Sequence, residues 1–427
     1  MLTPAWEVEP AAAGGPQLVH VNATATGGGV SELIGGLLRH QDAGWAVIAG
    51  TPAFYHVTKY LHMLLHGRSD PEQMKDPQLM RAYRDTLAPQ VEWFAQRLTP
   101  GDVVILHDPQ TLGLAPGLKA LGVRVVWHCH IGAVVAPERG PGPVWRAFHT
   151  ELATLDAVVT TLPEFAPPGV RHVFVIPPAV DPSAPKNREL TAGEIHSVLA
   201  RIGLTADSAT PGVTVTQEAP LPPDARVVLQ VSRWDPLKDM PGVVRCAVRL
   251  PADVHLLLAG TDPADIPDDP DGRAVLTEVQ ELLRDLPEPD RARVHIVNIS
   301  LRRPELNALV VNALQRRADV VLQKSLEEGF GLTVTEAMVK GRAVVASAVG
   351  GLREQIANGR NGVLVDPTDL DAVRAALARL LDDADLRRDL GERAREVVLE
   401  RYTMPRLADD YSHLIATISS GETTVRP

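Results

Sequence analysis

The chain is poor in several features that would each announce a class of protein. Only two cysteines occur in 427 residues, Cys129 and Cys246. They are expected in separate domains, so neither a disulfide framework nor a zinc ribbon can be built from them. No long basic run is present and the formal net charge is −11, which argues against nucleic acid or an anionic membrane surface as a partner. No apolar run approaches the ~18 residues needed to span a bilayer. Glu7 and Glu9 stand where a signal peptide would carry its basic and apolar regions. The expectation is a cytoplasmic protein with no membrane association. Hydrophobic content of 45% and charged content of 22% are those of a soluble globular chain, and the length argues for two domains.

What is present is an alternation of short apolar runs and helical patterns. In the first half, strands are predicted at Leu18–Asn22, Ala46–Ala49, Val103–Leu106, Val125–His128, Ala157–Thr161 and Val173–Ile176. Helices are predicted between them, including Gln78–Arg97 and Val144–Leu155. That order implies a parallel sheet covered on both faces. After the first strand come Gly27-Gly28-Gly29 and a helical pattern through Arg39. Strand, glycine loop and helix make a phosphate cradle, because unpaired N–H groups and the helix dipole point at one spot. Glu32 occupies the place of the third glycine of a dinucleotide fingerprint, and no Gly-Lys-Ser/Thr follows, so neither that motif nor a P-loop is present. A plain tight turn is the competing reading of these glycines.

Two predicted strands run into polar residues, His107-Asp108-Pro109-Gln110 and His128-Cys129-His130. Strand carboxyl ends are where ligands bind in open α/β sheets. The alternating imidazoles invite a metal, but no partner cluster with zinc spacing accompanies them and no metal site is assigned.

Between Leu204 and Pro223 periodicity disappears and the composition becomes that of a linker or insertion. A second series of strands follows at Arg226–Val231, Val254–Ala259, Val294–Asn298, Val320–Leu322, Ala343–Ser347 and Val363–Val365. The first runs into Ser232-Arg233-Trp234-Asp235-Pro236-Leu237-Lys238, whose Arg233 and Lys238 can clamp a diphosphate. The fourth leads through Glu328-Gly329-Phe330-Gly331-Leu332 into a helix over Thr333–Lys340 that contains Glu336. Thr333 and Glu336 also fit a capping box, a reading that needs no ligand. Asp269-Pro270-Asp271 is discounted as a solvated loop.

Taken together, the triple glycine, Ser232-Arg233 with Lys238, and Glu328 with Glu336 resemble the retaining glycosyltransferases of family four. Val21-Asn22, Val57-Thr58-Lys59, His107 to Gln110, His128 to Ile131, Leu162-Pro163-Glu164, Ile176-Pro177-Pro178, Lys186-Asn187 and Glu328 to Met338 are similar to the glycosyl-transferring trehalose synthases. The likeness runs over residues 17–415. It implies an α/β GT-B fold: two Rossmann-like domains facing across a cleft, residues 1–203 and 224–403. They would be joined by the linker 204–223 and followed by a crossover helix and tail over 404–427.

The resemblance implies ADP-glucose or UDP-glucose as donor and a sugar as acceptor. Arg233 and Lys238 would hold the diphosphate, Glu336 the ribose hydroxyls and Glu328 those of the transferred sugar. Asn298, Gly329, Phe330, Gly331 and Leu332 would complete the donor site, with N–H groups of Gly28 and Gly29 on the leaving phosphate. His130 would line the sugar, and Asp108 and Gln110 would take the acceptor. No cofactor is required, Mg2+ is at most a stimulant, and a homodimer is consistent with this branch.

Two departures stand out: Gly132-Ala133-Val134-Val135 is apolar where the family continues with polar residues, and Ser208–Ala219 is inserted. The acceptor is therefore left open between glucose and a glucose-like cyclitol or aminosugar. A trehalose phosphorylase shares the motifs, and a catalytically silent sugar-nucleotide binder would share the donor residues. An oxidoreductase is disfavoured by the missing third glycine.

Overall fold

The computed structural model describes residues 2–11, 15–26, 28–133, 141–266 and 270–420. The chain forms two compact units. One runs to Ala179 and resumes at Met404; the other is Val180–Thr403. The boundary therefore lies at Ala179/Val180 and not near residue 203. The physical reason is packing: Leu190, Val198, Leu199, Ile202 and Leu204 are buried in the core of the second unit. Val180 bridges to Thr403, at the other end of that unit.

The first unit holds β1 (Ala5–Val8), β2 (Leu18–Asn22), β3 (Gly44–Val47), β4 (Val103–His107), β5 (Arg124–Cys129), β6 (Ala157–Thr160) and β7 (Val173–Val175). They form one seven-stranded sheet in the order β1-β3-β2-β4-β5-β6-β7. All its pairings are parallel except that of β1 with β3. β4 to β6 are buried on both faces, which is why they read as unbroken apolar runs. The predicted helix over Gln78–Arg97 is broken into Pro77–Leu87, a 3-10 turn at Ala88–Gln90 and Val91–Ala95, because Pro89 cannot donate to the helical ladder. The other long prediction likewise divides, into Pro141–Ala147 and His149–Ala153.

The helix Met404–Ser420 belongs to this unit. Met404, Leu407, Ala408, Tyr411 and Leu414 fall on one helical face and join Leu33, Leu37, Ile105, Val126 and Val159 in a core on one side of the sheet. Gly36 makes the contact possible, since a Cβ there would lie 2.7 Å from the Met404 methyl carbon.

The second unit holds β8 (Val213–Thr216), β9 (Arg226–Val231), β10 (Val254–Thr261), β11 (Val294–Ile299), β12 (Val320–Gln323), β13 (Ala343–Ser347) and β14 (Val363–Val365). Their order is β14-β13-β12-β9-β10-β11-β8, with only β8 antiparallel, on β11. β8 lies inside the stretch expected to be linker. Both sheets share one topological feature. In the first, the chain runs from β2 to β3 on one side and then returns to place β4 on the other. In the second, it runs from β9 outward and returns to place β12 beside β9. At such a reversal the loops after two adjacent strands diverge and leave a crevice at their carboxyl ends.

Candidate active site

Most of the residues singled out in the sequence follow β2, β4, β9 or β12, while His130 follows β5 and Asn298 lies within β11. In the second unit, β9 leads into a loop held by two side-chain hydrogen bonds. Trp234 Nε1 donates to Asn298 Oδ1 at 2.8 Å, and Asp235 Oδ1 accepts from the Leu237 N–H at 2.8 Å. Asn298 is thus committed to holding the loop through its oxygen. Lys238 closes the following 3-10 turn, and Asp239, at φ 44°, caps the helix Met240–Ala247. This left-handed residue is supported by an ion pair with the fully buried Lys324. Gln230 adds a second tie, donating to the Lys238 carbonyl at 2.7 Å and accepting from the Lys324 N–H at 2.8 Å.

That scaffold delivers Lys238 Nζ to 2.6 Å from Glu328 Oε2. The same oxygen accepts from Ser325 Oγ at 2.9 Å and Gln323 Nε2 at 3.4 Å. Arg233 stands on the same loop after β9, half exposed at 51%, with Asp235 3.2 Å from its guanidinium. One well-fixed ammonium and one exposed guanidinium are suited to a diphosphate, as point charge and planar fork respectively.

Gly331, at φ 94°, is the N-cap of the helix Leu332–Val339. The capping-box reading fails here: the Thr333 hydroxyl donates to Gln323 Oε1 at 3.0 Å instead of capping the helix. Glu336 is buried, and its Oε1 lies 3.6 Å from Lys186 Nζ. Beneath it Lys340 Nζ donates to Asn187 Oδ1, Gln315 Oε1 and the Glu336 carbonyl at 2.7–2.9 Å. Burial lowers the Lys340 pKa to about 7. The Gly350-Gly351 turn escapes a reading of the sequence. A Cβ on Gly350 would meet the Glu328 carbonyl at 1.8 Å, and the Gly351 N–H donates to that carbonyl at 3.2 Å. Phe330 is buried behind the loop, and its carbonyl accepts from Gln355 at 2.5 Å.

In the first unit, Gly28 caps the helix Gly29–Leu37, and space is open around it: a Cβ there would meet nothing within 4 Å. Its N–H reaches Ser31 Oγ at 3.3 Å, a long bond. Gly27 lies outside the described residues, as do Val134, Val135 and Asp269. After β4, Asp108 adopts φ 60°. It is held there by Trp127 Nε1, which donates to its carbonyl at 2.9 Å, while its Oδ1 accepts from the His130 N–H at 2.7 Å. Burial raises its pKa to about 7, offset in part by that N–H. Tyr83 Oη ties the turn, donating to the Pro109 carbonyl at 2.6 Å. Gln110 Oε1 is buried without a hydrogen-bond partner. Buried polar atoms of this kind are rare unless water or ligand completes them.

His107, His128 and His130 bring ring nitrogens within 4.8 Å of one another. The rings are engaged with one another and with their neighbours. His128 and His130 stack at 3.8 Å between centroids, His107 Nδ1 is bonded to His130 Nε2 at 2.9 Å, and His107 Nε2 to His20 Nδ1 at 2.9 Å. Burial holds the pKa of all four imidazoles below the ordinary value, His20 to about 4 and His130 to about 3, so they are neutral near pH 7.

The departure at Gly132 has a packing cause. A Cβ at this position would lie 2.2 Å from the Phe165 ring. No side chain fits between this strand end and Phe165.

Comparison with known proteins matches both units. The family described as trehalose synthase, N-terminal domain, matches residues 20–167. Glycosyl transferases group 1 matches residues 214–397. A trehalose synthase of Rubrobacter xylanophilus is 34% identical over 95% of this chain and 91% of its own length. One from Thermococcus litoralis is 32% identical over 93% and 89%. In fold the chain is similar to a UDP-forming α,α-trehalose-phosphate synthase of Burkholderia xenovorans. The TM-score is 0.73 at 17% identity, covering 94% of this chain and all of that one.

Proposed function

Because this chain belongs to the trehalose synthase family and is a glycosyltransferase of GT-B fold, we propose that it transfers glucose with retention. ADP-glucose or UDP-glucose is the donor, and glucose, giving α,α-trehalose, or a glucose-like sugar is the acceptor. The observation that carries this reading is the clasp of Lys238 by Glu328 at the strand reversal of the second unit, with Arg233 on the same loop as Lys238.

The chemistry needs no side-chain nucleophile. Arg233 and Lys238 stabilise the negative charge that grows on the departing diphosphate, and fixed charges aimed at developing charge are the strongest aid such a site can give. Glu328 orients Lys238 and accepts hydroxyls of the transferred sugar; Glu336 accepts those of the ribose. The acceptor hydroxyl attacks from the face the diphosphate leaves, and the leaving phosphate takes its proton. Asp108 and the unpartnered Gln110 Oε1 bind the acceptor. The fixed ammonium of Lys238 and the exposed guanidinium of Arg233 do the work a divalent metal would otherwise do, and Mg2+ is assigned no more than a stimulatory part.

The test is NMR product analysis after incubation with ADP-glucose or UDP-glucose and free glucose. The expected product is an α,α-1,1-linked disaccharide with release of nucleoside diphosphate. Turnover only with another acceptor would retain the enzyme class and change the specificity. Phosphate-dependent cleavage of trehalose without any nucleotide reaction would overturn the proposal in favour of a phosphorylase.

A further inference from the structure

Gln41, which no motif singled out, stands at the far end of the imidazole row in the first unit. Its Oε1 lies 3.1 Å from His20 Nε2; His20 Nδ1 is 2.9 Å from His107 Nε2, and His107 Nδ1 is 2.9 Å from His130 Nε2. We infer that Gln41, acting through His20 and His107, fixes the tautomer of His130 so that its Nδ1 is a bare acceptor for a sugar hydroxyl. The role of that acceptor rests on the proposed sugar transfer; the tautomer does not.

A neutral imidazole has one N–H and one lone pair. Two neutral rings joined by a hydrogen bond must therefore point the same way, and rings in series share one direction. The end of the row sets it. An amide oxygen only accepts, so His20 carries its proton on Nε2 and offers Nδ1. His107 then donates from Nε2 and offers Nδ1, and His130 donates from Nε2. His20 and His107 are fully buried while His130 is partly accessible, so the row opens to ligand only at His130. His128 stands outside it: it stacks on His130, and its Nδ1 is bonded to Tyr411 Oη. The burial that keeps these rings neutral preserves the row. An Nδ1–H tautomer of His130 would present a hydrogen where a hydroxyl donor needs a lone pair.

Gln41 is only partly buried, so it can be replaced without opening the core. The experiment is long-range 1H–15N NMR of the full chain with labelled histidine, ligand-free at pH 7. His130 signals are assigned by their loss in His130→Asn. The expected result is an Nε2–H tautomer for His20, His107 and His130. Gln41→Glu, an acceptor, should keep it and hold kcat/KM within about twofold. Gln41→Lys, a donor, should invert the row and lower kcat/KM by roughly tenfold, the loss of one hydrogen bond, with thermal stability equal to that of Gln41→Glu. An Nδ1–H tautomer in the wild type, or no change of tautomer in Gln41→Lys, would overturn the inference. Inversion without any change in kcat/KM would overturn the hydroxyl-acceptor role. A wild type without glycosyl transfer would defeat the functional reading and leave the tautomer result standing.

Discussion

Lys238 and Glu328 are 90 residues apart in sequence, yet Nζ and Oε2 lie 2.6 Å apart, because the strands that lead into their loops, β9 and β12, are made neighbours by the reversal of strand order. Both side chains are largely shielded, at 14% and 12% exposure. The pair is assembled by the strand topology, which is the kind of preorganisation that charge stabilisation requires.

Replacing Arg233 or Lys238 by alanine should each lower turnover roughly 10²–10³-fold, the scale of one preorganised charge contact. Steady-state kinetics with saturating donor would measure it. Near-normal turnover in both variants would remove the donor site from this loop.

Asp108→Asn separates activity from stability. With a folded-state pKa raised to about 7 by burial, the carboxyl favours the folded state below about pH 4 and loses that contribution as pH rises through 7. The asparagine variant escapes that loss and should melt higher at pH 8. Its acceptor kcat/KM should fall on the order of 10²-fold, and an inflection near pH 7 in the profile should vanish. An inflection that persists would assign that step to another group.

Gly132→Ala places a methyl 2.2 Å from the Phe165 ring. Overpacking of this kind costs roughly 1–3 kcal/mol, readable in denaturant unfolding. Adding Phe165→Leu should recover part of the loss. Full stability in the single variant would show that the turn yields more than its packing implies.

The neutral imidazoles make the first unit sensitive to acid. Their folded-state pKa values lie below 6.5, His20 at about 4 and His130 at about 3. The unfolded chain therefore binds more protons as pH falls below 6.5. The stability they confer is full above that value and is lost toward pH 4, at a limiting roughly 1.4 kcal/mol per pH unit for each ring. Asp108 works in the opposite direction over part of this range, but it is one group against four. The melting temperature should rise steeply from pH 4 to 6.5, and a flat profile there would contradict the burial of these rings.

Most of this architecture is legible in the sequence because buried parallel strands announce themselves. Arg226–Val231, Ala343–Ser347 and Val363–Val365 begin and end where their apolar runs do. The strands that escape notice, Ala5–Val8 and Val213–Thr216, are antiparallel edges with exposed faces, so they carry no continuous hydrophobic signal. The domain boundary is misplaced for a related reason. The helix Ala192–Arg201 buries only one side, and amphipathicity does not say which core it joins. At the candidate site, Arg233, Lys238, Glu328 and Asp108 can be picked out by charge at strand ends. Gln41, Gln230 and Lys324 cannot, since their work is done on neighbours reached only through the fold.

The return of Met404–Ser420 to the first unit also has a consequence for biosynthesis. Tyr411 and Leu414 cover a sheet whose strands were made more than two hundred residues earlier, and domains emerging from the ribosome ordinarily fold in order of synthesis. Here the first unit to be translated is the last to be completed. Until Met404–Ser420 has been made, Ile105, Val126 and Val159 keep Leu33 and Leu37 but lack the rest of their apolar cover.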